Sequence, residues 1–395
     1  MKATILGFIC AITILSLNSC TSAEERQEKL IKEQANLDSL ALIYNPANEN
    51  KKIDAFMQKL HRNAGFNGNV LIAKNDTIIY QNSFGWADYL HRDSLHIDSK
   101  FELASVSKPM TGIATLQLVQ QGKIRLDQLV SEIIPGFPYD GVTVKQLLSH
   151  RSGLPNYVYF VDKIWPDRKK GMSNTDAINL LIQHKPARFG KPDGRFFYNN
   201  SNYMVLGAII EKISGQDFNT YMQENIFKPA GMKHTAALSK AIYDKIPTDV
   251  IGHDRVWRRS VVQDYLDGTL GDKGIYSTVR DLYRLDRALK QGRLLDTALL
   301  DSAYVPRSDF KKGVFNYGYG WRTFTPANTK VVYHAGWWHG FKNLYVRDLT
   351  NNVTIVLLSN MVNGSLNQLN ELYKILEIPV LSQGSYDANG GYVEP

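Results

Sequence analysis

Cysteine is nearly missing from this 395-residue chain: Cys10 and Cys20 are the two present, and nothing after position 20 carries a thiol. Disulfides, zinc fingers and a cysteine nucleophile are therefore excluded from the rest of the chain. No apolar run reaches the ~20 residues of a membrane-spanning helix. Internal repeats and low-complexity blocks are absent, as is any His-Glu-x-x-His ligand pair, so no metal or organic cofactor is implied. An excess of one charge is lacking too, with 46 basic against 38 acidic residues and a net charge of +8. The basic clusters Arg168-Lys169-Lys170 and Arg255-Val256-Trp257-Arg258-Arg259 are short and interleaved with acids, a pattern of solvated loops with no nucleic-acid-binding motif. At 44% hydrophobic and 21% charged, with 29 Gly and 14 Pro, the composition is that of a globular protein and disfavours disorder or a collagen-like repeat. The length suits two or three domains, or one large mixed fold with an inserted lobe.

The positions of the two cysteines are informative. Met1-Lys2 is a short basic start, and Ala3 to Leu17 is an apolar stretch of export-signal length. Leu17-Asn18-Ser19-Cys20 resembles the lipobox of bacterial lipoproteins, which implies lipidation of Cys20 as the mature N-terminus and loss of Cys10 with the signal (residues 1–20). A plain signal peptide with a chance cysteine, or a buried apolar helix, is the alternative. The polar segment 21–52 suits a tether. An exported, lipid-anchored protein of the cell envelope, on its periplasmic or cell-surface side, is the expectation.

From Ile53 onward Ile53, Phe56, Met57 and Leu60 fall at helical spacing. A hairpin is expected over Asn69–Ala73 and Thr77–Gln81, turning at Lys74-Asn75-Asp76. Val106 to Gln121 is an apolar helix with Gly122 as its C-cap, buried because it is apolar on nearly every side. The stretch from about 123 to 270 reads as a helical lobe, with a clear helix over Tyr203–Ile213, and a further helix covers Arg280–Lys290. Strands are expected at Gly318–Phe324, Lys330–His334, Asn343–Arg347 and Val353–Ser359, followed by a helix over Leu366–Ile375. Strands at both ends of the chain with helices between them point to one antiparallel sheet split by a helical insertion, over residues 53–380, with a flexible tail at 381–395.

Phe101 to Gly112, FELASVSKPMTG, holds the most chemistry. Ser105 and Lys108 are spaced i, i+3 at the start of the buried helix, so the amine points back at the hydroxyl. Partial desolvation and the positive end of the helix dipole favour the neutral amine, which can accept the serine proton. The free N–H groups of the same helix end can receive an oxyanion. Ser-x-x-Lys spelling alone is weak, since Ser308-Asp309-Phe310-Lys311 repeats it in a polar loop; Ser107 lacks the i+3 lysine.

In this context the chain resembles the serine β-lactamase and penicillin-binding-protein superfamily, in its class C β-lactamase-like branch. The resemblance extends over about Ile53 to Ile378. It adds a Tyr-x-Asn motif at Tyr198-Asn199-Asn200 and a His-x-Gly motif at His334-Ala335-Gly336, while LLSHRSGLP (147–155) and GDKGIYSTVRDL (271–282) also look like family signposts. It implies an α/β (α+β) β-lactamase/transpeptidase-like fold with a five-stranded antiparallel sheet flanked by helices and an all-helical lobe. Tyr198 would be a catalytic proton carrier, Asn200, His334 and Gly336 would bind substrate, and the backbone N–H groups of Ser105 and Trp337 would form the oxyanion hole. Each has a plainer reading: Tyr198 as a packed aromatic, Asn200 as a helix cap, Trp337 and Trp338 as core. Tyr80-Gln81-Asn82 copies the second motif but precedes the nucleophile.

His334 stands where many β-lactamases have lysine, and a mostly neutral imidazole weakens the case for strong β-lactam affinity. The expected activity is that of a serine hydrolase forming an acyl-enzyme on Ser105, with a β-lactam, D-Ala-type peptide or ester as small-molecule or peptide substrate. No class A-type deacylating glutamate can be picked out. The rival is a non-catalytic or penicillin-binding envelope receptor on the same fold. No feature of the sequence fixes an oligomeric state.

Overall fold

The computed structural model describes residue 39 and residues 42–381, apart from 247, 256–257, 309–314 and 327. The export signal, Cys20, most of the expected tether, the expected tail beyond Leu381 and Lys311 of the second Ser-x-x-Lys lie outside the described residues. Residues from Tyr44 onward form one compact unit, so the helical lobe is not a separate body. That unit begins upstream of Ile53, because the Asn50 amide already donates to the Ile79 carbonyl at 2.9 Å.

The Asn50 side chain accepts from the amides of Lys52 and Ile53 and so starts α1 (Lys51–Ala64), which Gly65 closes in a left-handed conformation. β1 (Gly68–Lys74) and β2 (Thr77–Phe84) follow. Asn75 and Asp76 between them both have positive φ, as a type I′ hairpin turn requires. α2 (Ser107–Gln120) is buried on almost every side. The lobe contains α3 (Asn174–His184) and α4 (Asn200–Ser214), and α5 (Val279–Lys290) leads out of it. Then come β3 (Phe315–Tyr317), β4 (Arg322–Phe324), β5 (Val331–Trp338), β6 (Phe341–Asp348), β7 (Val353–Ser359) and α6 (Asn370–Leu376).

The strands make one antiparallel sheet in the order β2-β1-β7-β6-β5-β4-β3. Its five long strands are those the sequence suggested. Of the stretch expected as a strand at 318–324, β4 occupies only 322–324; the residues before it form a turn through Gly320 (φ 82°) back to β3, an unexpected strand at 315–317, and these two extend the sheet to seven. β1 pairs with β7 from Gly68↔Ser359 to Lys74↔Val353, so the two ends of the domain close against each other. Alternation along the strands sends Val70, Ile72, Ile355 and Leu357 to the face covered by Phe56, Met57 and Leu60 of α1 and Leu372 and Leu376 of α6. Each such side chain contributes roughly 1.5–3 kcal/mol when fully buried. α5 packs on β7 and β1, where Asp286 accepts from Arg347 Nε (2.6 Å) and Thr354 Oγ1 (2.9 Å). A small second sheet, Phe101–Glu102 with 275–277 and 236–237, carries the chain up to Ser105.

Candidate active site

Ser105 lies in a 3-10 turn, Ala104–Val106, that opens directly into α2. Ala104 before it has φ 50°, a left-handed conformation that costs a non-glycine residue roughly 1–2 kcal/mol. The first turn of α2 carries Lys108 back over this bend, placing its Nζ 2.8 Å from Ser105 Oγ. Ser107, the alternative hydroxyl, faces the opposite way and accepts from the Ile275 amide at 3.3 Å.

Lys108 is fully buried, and its two other contacts are uncharged oxygens: Asn200 Oδ1 and the Asp272 carbonyl, each at 2.9 Å. Burial pulls its pKa down to about 7 against the opposing Asp272 carboxylate, and Lys273 and Arg322 push the same way as burial. Tyr198 shares a hydrogen bond with the Ser105 side chain, and burial pushes its phenol up to about 12, with Arg322 and Ser105 countering. The phenol is therefore protonated at neutral pH. Lys108 Nζ sits 5.0 Å and the Arg322 guanidinium 5.1 Å from the centre of its ring.

Asn200 is the first residue of α4 and not its cap: the Asn199 side chain accepts from the Ser201 amide, which leaves Asn200 free to reach Lys108. Tyr80 of the displaced Tyr-x-Asn copy donates to Asp54 at 2.8 Å, a structural bond remote from Ser105. His334 is fully buried, its Nδ1–H donating to the Ala335 carbonyl (2.7 Å) and its Nε2 3.2 Å from the Tyr317 hydroxyl. Burial, with Arg322 and Lys108 nearby, holds it well below the usual histidine range and thus neutral. Gly336 is required by contact: a Cβ there would stand 2.3 Å from the Leu103 carbonyl oxygen, so only glycine lets β5 run against the nucleophile turn. The two tryptophans separate. Trp337 is 57% exposed, whereas Trp338 turns inward and donates Nε1–H to Asp267 Oδ1 at 2.5 Å; neither is core.

Several residues at this site went unassigned in the sequence. His150, inside the LLSHRSGLP signpost, is a buried neutral imidazole packed 4.4 Å from the Tyr198 ring centre, with Nδ1 accepting from the Asn199 amide and Asn202 Nδ2. Asp272 and Lys273, inside the second signpost, hold Lys108 through a carbonyl and Tyr157 through an ammonium (2.7 Å). Both signposts were visible as phrases, but their partners lie more than 40 positions away. Two groups bring three metal-ligating side chains together among the described residues, Asp88/His91/Asp93 and Asp264/Asp267/His339. In the second, Asp267 is already engaged by the Asp264 amide, Trp338 and His339.

A hydroxyl beside a lysine that is poised near neutrality, with a protonated phenol on the same oxygen, is equipped for attack on an acyl carbon. A profile of the family described as Beta-lactamase matches residues 50–377. The chain is 32% identical over 327 residues to penicillin-binding protein 4* of Bacillus subtilis (strain 168), covering 79% of this chain and 72% of that one. A penicillin-binding protein from Bacillus halodurans has a similar crystal structure, with a TM-score of 0.71 at 25% identity over 83% of this chain and 99% of that one. D-amino acid amidase from Ochrobactrum anthropi SV3, complexed with L-phenylalanine amide, shares the fold at a TM-score of 0.70 and 21% identity, over 83% and 99% of the two chains.

Proposed function

The chain belongs to the β-lactamase family, a family of serine hydrolases, and we propose that it works through an acyl-enzyme on Ser105. The observation that carries this reading is the 2.8 Å contact between Ser105 Oγ and a buried Lys108 whose other partners are two neutral carbonyl oxygens. A neutral amine has two N–H donors and one lone pair. Asn200 and Asp272 take the donors, which directs the lone pair at the serine proton.

Lys108 accepts that proton as Oγ bonds to the substrate carbonyl carbon. The carbonyl oxygen becomes an oxyanion held by the N–H groups of Ser105 and Trp337. Collapse of the tetrahedral adduct breaks the bond to the leaving group, which takes the proton through Lys108 and Tyr198. Water then attacks the acyl carbon, gives a proton to the same pair and frees Ser105. Tyr198, protonated up to about pH 12, relays protons and is not the resting base. Water activation by this pair, without a separate glutamate, corresponds to a class C-like scheme.

Neutral His334 offers no fixed cation at its own position, which weighs equally against a β-lactam carboxylate and the terminal carboxylate of a D-Ala-type peptide and favours amides and esters that lack one. Of the relatives, the D-amino acid amidase supports that order, whereas the penicillin-binding protein's name speaks for reaction with a β-lactam. Export and lipid anchoring through Cys20 complete the reading and rest on the N-terminal sequence; replacing Cys20 by alanine is expected to release the protein from the membrane fraction.

Mass spectrometry after incubation with a labelled penicillin and with a p-nitrophenyl ester tests the reaction. An adduct at Ser105 that Ser105→Ala abolishes is expected. A native protein unmodified by both reagents, and indistinguishable from Ser105→Ala, would overturn the hydrolase reading in favour of a binding protein. Turnover of nitrocefin would indicate a β-lactamase, and an adduct lasting hours a penicillin-binding protein.

A further inference from the structure

Asp267 lies outside the acylation machinery, yet it engages the strand end from which the Trp337 amide is presented. β5 and β6 are joined through His339 (φ 40°) and Gly340 (φ 82°), a two-residue turn beginning two positions after Trp337. Both side chains flanking the start of that turn end on the same carboxylate. Trp338 donates to Asp267 Oδ1 at 2.5 Å, and His339 Nε2 pairs with Asp267 Oδ2 at 2.9 Å. Asp267 is itself fixed, since Oδ2 accepts from the Asp264 amide at 2.7 Å and so closes a capping box over Tyr265–Gly268. Further along the same loop, the Lys273 ammonium sits 5.2 Å from the Trp338 ring centre, and the Asp272 carbonyl accepts from Lys108.

One loop, residues 264–274, therefore grips the general base at one end and the turn beside the oxyanion donor at the other. We propose that Asp267 is a positioning residue that holds the β5–β6 turn so that the Trp337 N–H points at the developing oxyanion. The proposal rests on the acyl-enzyme reading above. Losing an oxyanion donor outright costs about 10²–10³ in rate, and a displacement of about 1 Å can cost about 10²-fold; a loosened donor belongs at or below that range.

The test compares Asp267→Ala, Asp267→Asn and Trp338→Phe. Asp267→Ala is expected to lower kcat for a p-nitrophenyl ester about 10–100-fold with KM within about twofold, and to weaken phenylboronic acid, a tetrahedral-adduct mimic, in proportion. Trp338→Phe, which keeps an aromatic ring but removes the indole N–H, should lose in the same direction. Asp267→Asn retains an oxygen that can accept from Trp338 and should recover most of the rate. Hydrogen exchange of a peptide spanning 335–341 should speed up in Asp267→Ala and Trp338→Phe. Unchanged kcat, boronate affinity and exchange in both variants would overturn the proposal, as would a loss in which KM, kcat and melting temperature all move together and asparagine rescues nothing. A native protein that no acylating reagent labels removes the functional reading and this one with it, whereas a labelled native protein with an indifferent Asp267→Ala removes this one alone.

Discussion

Lys108 and Lys273 are both withdrawn from water, at 0% and 3% exposure, and both are bound to the same residue, yet they are held in opposite states. Lys108 meets the backbone carbonyl of Asp272 and two further neutral oxygens, and burial brings it to about 7. Lys273 meets the Asp272 carboxylate at 3.6 Å, together with the Tyr157 and Thr269 hydroxyls at 2.7 Å. Burial opposes its charge as well, but Asp272, Tyr157 and Asp267 outweigh that and raise its pKa. Burial alone does not activate a lysine; a buried lysine denied a carboxylate is activated. Asp272 separates the two roles by giving its main chain to one amine and its side chain to the other.

The largest expected effect attacks the activated member. Lys108→Met should slow acylation of Ser105 by roughly 10²–10⁴-fold, the usual worth of a general base. Lys108→Arg should do no better, since a guanidinium stays charged. Stopped-flow acylation by a p-nitrophenyl ester measures both, and a rate within tenfold of the native one would break the comparison. Next comes the paired member. Lys273→Met strands a buried carboxylate and should destabilise the fold by about 3–5 kcal/mol in urea unfolding. Adding Asp272→Asn to that variant should cost less than the sum of the two single changes, because each removes the other's orphaned charge.

Titration sharpens the contrast further. Acylation should fall as pH drops through about 7, where Lys108 takes up its proton. An unfolded lysine titrates near 10.4, so between about 7 and about 10.4 the unfolded chain binds the extra proton and Lys108's contribution to stability rises with pH. Lys273 has the opposite sign. Its stabilisation is fully present below the unfolded value and is lost progressively as pH rises from there through its raised folded value, so it is silent across the neutral range. Removing Lys273 takes away a charge that lowers Lys108 and should move the acid limb of the pH–rate profile to higher pH; Asp272→Asn should move it lower.

The sequence made one half of this contrast visible and concealed the other. Ser105 and Lys108 meet across one helical turn, an i, i+3 relation that helix geometry dictates, and the 2.8 Å contact is its direct consequence. The continuous apolar run at Val353–Ser359 is the strand it promised, and Gly215 ends α4 in the left-handed conformation that glycine permits. Lys273 and Asp272 reach Tyr157 and Lys108 over more than 100 positions, and no local periodicity encodes which distant groups a buried charge will meet. The short edge strand β3 was hidden for a related reason. A three-residue strand has too little alternation to register, and its pairing is decided by the neighbour it docks on. Asn200 admitted a cap reading beside its site reading because Asn199 and Asn200 suit a helix start equally, and what decides between them is which side chain the lobe turns towards Lys108.

The smallest effect follows from that division between neighbours. The Asn199 side chain accepts from the Ser201 amide at 2.9 Å and donates to the Leu154 carbonyl at 2.6 Å, tying the start of α4 to the LLSHRSGLP loop. Asn199→Ala should cost about 1 kcal/mol in urea unfolding, the ordinary worth of a cap. It leaves every partner of Lys108 in place, so the midpoint of the acid limb should stay at about 7. Asn200→Ala is the complementary change. It spares the cap but removes one neutral acceptor from Lys108, so its effect should fall on the acylation rate with little loss of stability. If instead Asn199→Ala shifts the titration and Asn200→Ala only melts the helix, the division of labour between these neighbours is reversed, and the neutral cage around Lys108 is built from other atoms.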